Sequence, residues 1–196
     1  MTWRRAVTAE NNAYNWSYIS RQYEAVVPKH LQSSDVAMVL GLLFGMALSA
    51  NAQSIVEIGV QNGLSTRMLC LAAQQNGGYL VSCDTDPKCG EGELKEDLLR
   101  LDLLPYWTFH AMPSQEMPVI ENSDFLYVDG DHGYEAVCAD MARHGKAVRD
   151  GGLVVLDDYG FPGKKQWLDE RWDTLAPILV GPHVLITVTP EKRASF

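Results

Sequence analysis

Short apolar segments alternate with segments of helical spacing along this chain, and this alternation limits the possible folds more than any other feature. The segments with strand character are 54–59, 79–83, 107–111, 125–128, 153–156, 177–180 and 184–189, and those with helical spacing are 35–49, 64–75, 91–103, 134–148 and 164–175. Strands joined through helices run parallel, so the pattern predicts an α/β fold with an open, mostly parallel sheet covered on both faces. A tight turn at Gly181 and Pro182 predicts that the last two strands form an antiparallel pair at one edge. Pro105 is expected to stop the helix over 91–103, and His144 and His183 are expected on a loop or a helix face.

The length of 196 residues predicts a single domain, with a core that we expect to span 54–190. The N-terminal part, 1–50, carries aromatic residues spaced as in short helices that lay rings on a neighbouring surface: Trp3, Tyr14, Trp16, Tyr18 and Tyr23. This part is predicted either to cap the core or to form a lid over an active site. Ser34 is expected to cap the helix that follows it.

The formal net charge of −9 argues against two classes of partner. Proteins that bind nucleic acids neutralise phosphates with clustered Lys and Arg, and this chain has no such cluster. Its most apolar stretch, 36–50, is too short to span a bilayer, and the N-terminus lacks the apolar core of a signal peptide. Its four cysteines lack the spacing of a zinc site, so we expect reduced thiols in a soluble, cytoplasmic protein.

The turn after the first predicted strand has the composition of a ligand-binding loop. Gly59 and Gly63 let the backbone pass close to a ligand, and the following helix offers free N–H groups to an anion. A dinucleotide-binding loop carries glycine where this chain has Gln61, so pyrophosphate is disfavoured and a ligand with a carboxylate fits as well. Asp84 ends the second strand, where an acid can accept both hydroxyls of a ribose. The alternative for Asp84 is a solvated turn residue.

Three aspartates follow two neighbouring strands of the predicted sheet. Asp129 ends the fourth strand, and Asp157 and Asp158 end the fifth, so their carboxylates are expected to converge at one edge. A hard divalent cation would relieve the repulsion among them, which predicts a site for Mg²⁺, Ca²⁺ or Mn²⁺. Asp131 or His132, just beyond Asp129, is a candidate base, although His132 is as well explained by packing or by a hydrogen bond to a loop.

Two motifs together resemble a known family. The stretch E-x-G-x-x-x-G-x-S runs from Glu57 to Ser65, and D-G-D-H-x-Y-E begins at Asp129 and is followed by D-D-Y at Asp157. Both resemble class I S-adenosylmethionine-dependent methyltransferases, in particular the metal-dependent sugar and catechol-type O-methyltransferases. The resemblance covers about 55–159 and implies a Rossmann-like three-layer sandwich with a seven-stranded sheet whose final strand is antiparallel.

The resemblance also implies roles for individual residues. The methionine part of S-adenosylmethionine would contact Gly59 and Ser65, the ribose would bind Asp84, and the adenine would lie beside Ser114 and Gln115. The full set of implied cofactor-binding residues is Glu57, Gly59, Gln61, Gly63, Ser65, Asp84, Ser114, Gln115 and Asp129, and the implied metal ligands are Asp129, Asp157 and Asp158. Ser114 is equally well explained as a helix cap.

The same resemblance implies a small hydroxylated molecule as methyl acceptor and leaves a homo-oligomer open. In the sugar-modifying relatives an acid at the position of Asp131 is the candidate base. Catechol-type relatives have a lysine where this chain has His132, which speaks against a simple catechol substrate. Two alternatives stay open: a metal-independent methyltransferase, and a non-catalytic module that binds S-adenosylmethionine.

Overall fold

The computed structural model describes residues 25–27 and 35–196. The predictions for the aromatic residues before position 24 and for Ser34 lie outside the described residues. The division into an N-terminal cap or lid and a core of 54–190 stays a prediction.

The described strands form one sheet with the predicted character. They are β1 (Ser54–Ile58), β2 (Tyr79–Asp84), β3 (Trp107–Ala111), β4 (Ser123–Val128), β5 (Val148–Leu156), β6 (Ile178–Val180) and β7 (His183–Thr187). Their order in the sheet is β3-β2-β1-β4-β5-β7-β6. The first five strands are parallel, and β7 runs antiparallel to both β5 and β6. The order turns outward in both directions from β1 and β4, which opens a crevice at their carboxyl ends.

Helices cover both faces of this sheet. They are α1 (Asp35–Ser49), α2 (Leu64–Asn76), α3 (Gly92–Arg100), α4 (Tyr134–Asp140), α5 (Pro162–Asp169), α6 (Trp172–Leu175) and α7 (Pro190–Arg193). Successive side chains of β4 point to opposite faces. Phe125 belongs to the hydrophobic cluster under α1 and α2, whereas Leu126 belongs to the cluster under α4 and α5. The three-layer α/β sandwich is therefore confirmed.

Two predicted helices end earlier than expected, and a third is interrupted. The helix predicted over 91–103 stops at Arg100, because Asp102 takes a left-handed conformation (φ 56°) and the N–H of Leu103 bonds to the carbonyl of Leu98. This pattern is a Schellman motif, which ends a helix without help from a proline. Pro105, which was predicted to stop the helix, lies in a separate short 3₁₀ turn.

The other two errors concern the helices after β4 and β5. The helix predicted over 134–148 ends at Asp140 in a π-helical turn, and Val148 already pairs with Ser123 as the first residue of β5. The helix predicted over 164–175 is split into α5 and α6. The split occurs where the Arg171 side chain donates a hydrogen bond to the carbonyl of Trp167 and so takes the place of the next backbone N–H.

Within 25–27 and 35–196, no helix combines the length and the apolar character needed to cross a membrane.

Candidate functional site

A cavity of about 560 Å³ opens at the carboxyl ends of β1, β2 and β4. It brings together most of the predicted site residues: Gly59, Gln61, Asp84, Ser114, Gln115, Asp129, Asp131, His132 and Asp158. A second cavity of about 150 Å³ shares Gln61 and Asp129 with the first and is also lined by Ser65, Tyr127, Asp157 and His183. The two cavities therefore meet around Gln61 and Asp129.

The turn between β1 and α2 depends on both of its glycines. Gly59 has φ +91°, and a Cβ atom there would lie 2.3 Å from the carbonyl oxygen of Asp129. Gly63 has φ +68°, and a Cβ atom would lie 2.4 Å from the side chain of Leu94 on α3. Any larger residue would be strained and would collide with a neighbour. The glycines thus bring the start of α2 close to both the cavity and α3.

Asp84 fastens this turn to the end of β2. Its carboxylate accepts hydrogen bonds from the backbone N–H groups of Val60 (2.9 Å), Gln61 (3.0 Å) and Asp86 (3.0 Å). Burial alone would raise the pKa of Asp84, but the three N–H donors outweigh it and hold the pKa below its usual value. Asp84 is therefore a carboxylate that orders the loop as well as lining the larger cavity.

Glu57 lies beneath the turn and lines neither cavity. It is fully buried and accepts hydrogen bonds from the hydroxyls of Ser65 (2.7 Å), Thr66 (2.8 Å) and Ser82 (2.6 Å). Burial raises the pKa of Glu57 to about 7, although the three hydroxyls act in the opposite direction. The direct contact of Glu57 with a cofactor stays a prediction, while the structure shows Glu57 joining β1, α2 and β2.

Ser114 does not cap a helix. Its hydroxyl donates to Oδ1 of Asp140, and its carbonyl oxygen lies 2.7 Å from Nε2 of His144. Gln115 also reaches Asp140, at 3.4 Å. Burial raises the pKa of Asp140 to about 6, against the effect of the Ser114 hydroxyl. Sequence reasoning missed Asp140, which lines the larger cavity, and placed His144 on a loop or helix face, whereas His144 is buried.

The acidic cluster, formed by Asp129, His132 and Asp158, lies at the ends of β4 and β5. It contains His132 in place of Asp157, which the sequence predicted. Asp129, Asp158 and His132 each offer a ligand atom, and these atoms lie within 4.8 Å of one another. Burial, and then the charge of Asp157, raises the pKa of Asp129 to about 7 in spite of Lys164. Burial and the neighbouring carboxylates both disfavour the ionised form of Asp129, and a cation bound beside it would favour that form.

Asp157, also predicted as a metal ligand, already has protein partners. Its Oδ2 accepts the hydroxyl of Tyr127 (2.6 Å), and its Oδ1 accepts the N–H of Asp158 (2.8 Å). Nδ1 of His183 lies 2.9 Å from the same Oδ1. Burial alone would raise the pKa of Asp157, but His183 and Tyr127 outweigh it and hold the pKa below its usual value. A role for Asp157 in metal binding stays a prediction.

His183 was expected on a loop or helix face, and that expectation is wrong. It is the first residue of β7 and is fully buried. The antiparallel pairing of Val184 with Leu156 places His183 beside the residue that follows β5, which is Asp157. The turn at Gly181 and Pro182 predicted the pairing of β6 with β7, but not the pairing of β7 with β5 that sets this register.

The two candidate bases lie on the wall of the larger cavity. Asp131 accepts the N–H of Gly133 at 2.7 Å, which orients its carboxylate. His132 stacks on Phe161 with ring centroids 4.2 Å apart, and its Nε2 lies 3.9 Å from Oδ2 of Asp158. Burial, and then Lys164, lowers the pKa of His132, which favours the neutral imidazole. Nδ1 of His132 is buried and has no hydrogen-bond partner within the described part of the chain.

Lys164 is the most important residue that sequence reasoning missed. It lies in the first turn of α5, is fully buried, and its ammonium group approaches Asp129 Oδ1 at 4.0 Å. Burial lowers the pKa of Lys164, while Asp129, Asp157 and other carboxylates act against that effect. A lysine in the first turn of a helix opposes the helix dipole, which is unusual, but this position does not by itself indicate burial beside Asp129.

Comparison with known proteins agrees with the fold. A curated relative, an uncharacterized protein of Acanthamoeba polyphaga mimivirus, is 28% identical over 115 residues, which are 53% of this chain and 50% of that protein. The chain thus spans about half the length of that relative.

Three solved structures share the fold. An O-methyltransferase of Bacillus cereus, in complex with S-adenosylhomocysteine, superposes with a TM-score of 0.60 at 18% identity. The superposition covers 92% of this chain and 94% of that enzyme's chain. TomG, an O-methyltransferase of Streptomyces achromogenes in complex with S-adenosylmethionine, gives 0.59 at 20% identity, with 87% and 89% covered. A methyltransferase of Podospora anserina bound to S-adenosylhomocysteine gives 0.62 at 15% identity, with 85% of each chain covered.

A family described as a methyltransferase domain matches residues 56–159. That segment runs from β1 to just beyond β5 and contains the glycine turn, Asp84 and the acidic cluster. It makes up more than half of the chain, which therefore belongs to this family of class I methyltransferase domains.

Proposed function

We propose that this domain transfers the methyl group of S-adenosylmethionine to a hydroxyl group of a small molecule, with the help of Mg²⁺ or another divalent cation. The observation that carries the proposal is one continuous site. The glycine turn and Asp84 form one end of the larger cavity, and the cluster of Asp129, His132 and Asp158 forms the other. A methyl donor bound along the turn would present its reactive end to that cluster.

The residues of the first end fit S-adenosylmethionine. The main chain at Gly59 leaves no room for a Cβ atom because the backbone of Asp129 lies there, and this contact holds the glycine turn on the wall of the cavity. Asp84 faces the cavity with a carboxylate that the loop keeps ionised, which suits the two hydroxyls of a ribose. Neighbours of this fold bind S-adenosylmethionine or its demethylated product. S-adenosylmethionine would supply the methyl group.

The residues of the second end fit a divalent cation. Asp129 and Asp158 offer carboxylate oxygens, the preferred ligands of hard cations, and His132 offers an imidazole nitrogen, with its Nε2 at 3.9 Å from Oδ2 of Asp158. The local charge also fits, because the carboxyl groups of Asp129, Asp157 and Asp158 outnumber the one ammonium group beside them in the described part of the chain, that of Lys164. We therefore propose Asp129, Asp158 and His132 as ligands. A bound cation would lower the pKa of a nearby hydroxyl.

The chain itself would position the acceptor and take its proton. Because His132 belongs to the proposed ligand set, Asp131 is the better candidate for the base. Its Oδ1 is fixed by the N–H of Gly133, so the carboxylate stands on the cavity wall in one orientation. A base held beside the reacting hydroxyl contributes roughly 10²- to 10⁴-fold to a rate.

The test is a methyl-transfer assay that measures release of S-adenosylhomocysteine with a panel of catechols and nucleotide-linked sugars. We expect transfer to at least one of them, loss of transfer with EDTA, and recovery with Mg²⁺. Asp158→Asn should lower the rate at least tenfold, because it removes a ligand charge. The matched control is Asp169→Asn, which alters an exposed aspartate paired with Lys165 on α5.

Two outcomes would contradict parts of this proposal. Transfer that is unaffected by EDTA and by Asp158→Asn would indicate a metal-independent methyltransferase. Binding of S-adenosylhomocysteine without transfer to any hydroxylated acceptor would favour a non-catalytic binding module. A cytoplasmic location, the absence of nucleic-acid partners and a homo-oligomer stay predictions.

A further inference from the structure

The packing of α5 against the loop after β4 places Lys164 at the site. Gly163 packs directly against the loop after β4, where a Cβ atom would lie 2.4 Å from the carbonyl oxygen of His132. This close approach places the next side chain under the acidic cluster. Lys164 is fully buried there, so it is neither a surface lysine nor a residue that a ligand can reach directly.

The ammonium group of Lys164 joins the ends of two strands. It donates hydrogen bonds to the carbonyl oxygens of Val128 (3.3 Å), the last residue of β4, and of Asp157 (2.9 Å), the first residue after β5. An ammonium group has three N–H donors. With two of them on carbonyls, the nearest charged neighbour is Oδ1 of Asp129, at 4.0 Å.

A buried ammonium group such as that of Lys164 needs hydrogen-bond acceptors or negative charge close by to stay ionised. Burial disfavours a charged ammonium, and the first turn of a helix disfavours a cation. The two backbone carbonyls that accept its hydrogen bonds and the carboxylate of Asp129, 4.0 Å away, favour it. The same Asp129 is a member of the cluster in which a divalent cation is proposed to bind. The ammonium group and such a cation therefore share one carboxylate.

We propose that Lys164 is a built-in cation of the acidic cluster. Its ammonium group supplies part of the positive charge that balances the carboxylates and thereby weakens the binding of a divalent ion. The inference rests on the proposed function insofar as it uses the same cluster. It goes further by naming a residue that sets how strongly this domain depends on metal. Lys164 acts through Asp129 and is a positioning residue.

The experiment is calorimetric titration with Mn²⁺ alone, and then with Mg²⁺ alone, on the wild-type chain and on Lys164→Met. Removing the buried ammonium group should tighten Mn²⁺ binding at least about tenfold, because a like charge next to the ion is lost. Lys165→Met is the matched control, since the neighbouring Lys165 is exposed and pairs with Asp169. It should leave the affinity within about twofold of the wild type, as expected for an exposed pair.

A folded Lys164→Met protein that binds Mn²⁺ with unchanged or lower affinity would overturn the inference, and so would one that binds none. Folding is checked by the thermal transition in circular dichroism. Lys164→Gln is the second variant, because its amide keeps donors for the two carbonyls and removes only the charge. It should show the same gain in Mn²⁺ affinity. A folded Lys164→Gln protein with the affinity of the wild type would also overturn the inference.

Titration of the same proteins with S-adenosylhomocysteine separates this inference from the proposed function. Failure of the wild type to bind it would contradict methyl transfer whatever Lys164 does. Binding of Mn²⁺ by Lys164→Met but not by the wild type would support the inference and would show that the lysine replaces the metal in this chain. Binding of S-adenosylhomocysteine, with no Mn²⁺ binding by either protein, would overturn the inference and leave methyl transfer standing.

Discussion

The two halves of the site differ in how their negative charges are met. In the cofactor half, around the glycine turn, Asp84 receives three backbone N–H groups and has a lowered pKa. In the reaction half, at the ends of β4 and β5, Asp129 has its pKa raised to about 7 by burial and by Asp157, although Lys164 lies beside it. The carboxylate of the first half is satisfied by backbone donors, whereas several carboxyl groups converge in the second half, where we propose that a cation binds.

The substitution with the largest expected effect is Gly59→Ala, because Gly59 lies in the glycine turn and packs directly against Asp129 of the other half. The new methyl group would collide with the carbonyl oxygen of Asp129, at a φ angle that alanine rarely adopts. We expect a loss of roughly 3 kcal/mol in the free energy of unfolding and a loss of about 100-fold in affinity for S-adenosylhomocysteine. Thermal melting with and without the ligand measures both effects.

The matched control is Gly160→Ala, since Gly160 has open space around its Cβ position and no positive φ angle. It should change stability by less than about 0.5 kcal/mol. Equal affinity in Gly59→Ala and the wild type would show that the turn does not carry the ligand, and the division of the site into these halves would be wrong.

The second prediction concerns the buried acid under the cofactor half. Glu57 has a pKa of about 7 in the folded protein and about 4.5 when exposed, so the folded state keeps a proton that the unfolded chain has lost. Stability should therefore fall as the pH rises from about 4.5 to 7, by at most about 3 kcal/mol, and stay level above that range. Glu57→Gln should remove this contribution, as measured by urea unfolding across the range.

Glu96→Gln is the control for that experiment, because Glu96 is exposed on α3. It should keep the pH dependence of the wild type. If Glu57→Gln kept it too, the three hydroxyls around Glu57 would be holding the carboxylate ionised, and the cofactor half would contain a buried charge.

A smaller effect is expected from Asp84→Asn. The amide keeps one acceptor oxygen but loses the charge that strengthens the bonds from Val60 and Gln61. We expect a loss of about 2 kcal/mol in the binding of S-adenosylhomocysteine, measured by calorimetry. Asp86→Asn, which alters an exposed cap of a short turn, should bind as the wild type does. Unchanged binding in Asp84→Asn would mean that the charge of Asp84 serves the loop alone.

The smallest expected effect concerns Asp140, which holds Ser114 and Gln115 in place. Asp140→Asn should weaken binding of S-adenosylhomocysteine by about 1 kcal/mol, or roughly fivefold, because the side chains predicted to border the adenine lose a charged acceptor. Asp173→Asn, in the first turn of α6, is the control. A loss as large as that of Gly59→Ala would indicate that Asp140 contacts the ligand itself.

The positions of the residues around the glycine turn follow from the sequence more directly than those of the residues packed at the ends of β4 and β5, because the turn is assembled from residues that are close along the chain. The glycine turn and Asp84 follow from local rules: glycines between a strand and a helix, and an acid at the end of the next strand. Lys164 and His183 reach the reaction half through the packing of α5 and the register of β7. Neither contact is encoded in the local spacing of residues, so the sequence around Lys164 and His183 does not reveal that the two side chains are buried there.

The fold shows the same contrast. The order of strands and helices followed from alternation, and the antiparallel end followed from the turn at Gly181 and Pro182. The errors occurred at the ends of helices, where a left-handed Asp102 and the side chain of Arg171 decide where each helix stops. Such endings depend on single residues and on contacts from elsewhere in the fold, so hydrophobic spacing does not reveal them.

The most direct test of the account is calorimetric titration of the wild-type chain with S-adenosylhomocysteine. The account predicts saturable binding of one molecule per chain, with an affinity about 100-fold lower in Gly59→Ala and unchanged in Gly160→Ala. Absence of binding to the wild type at millimolar ligand, or equal binding to all three proteins, would contradict the central claim that the cleft beside Gly59 holds a methyl donor.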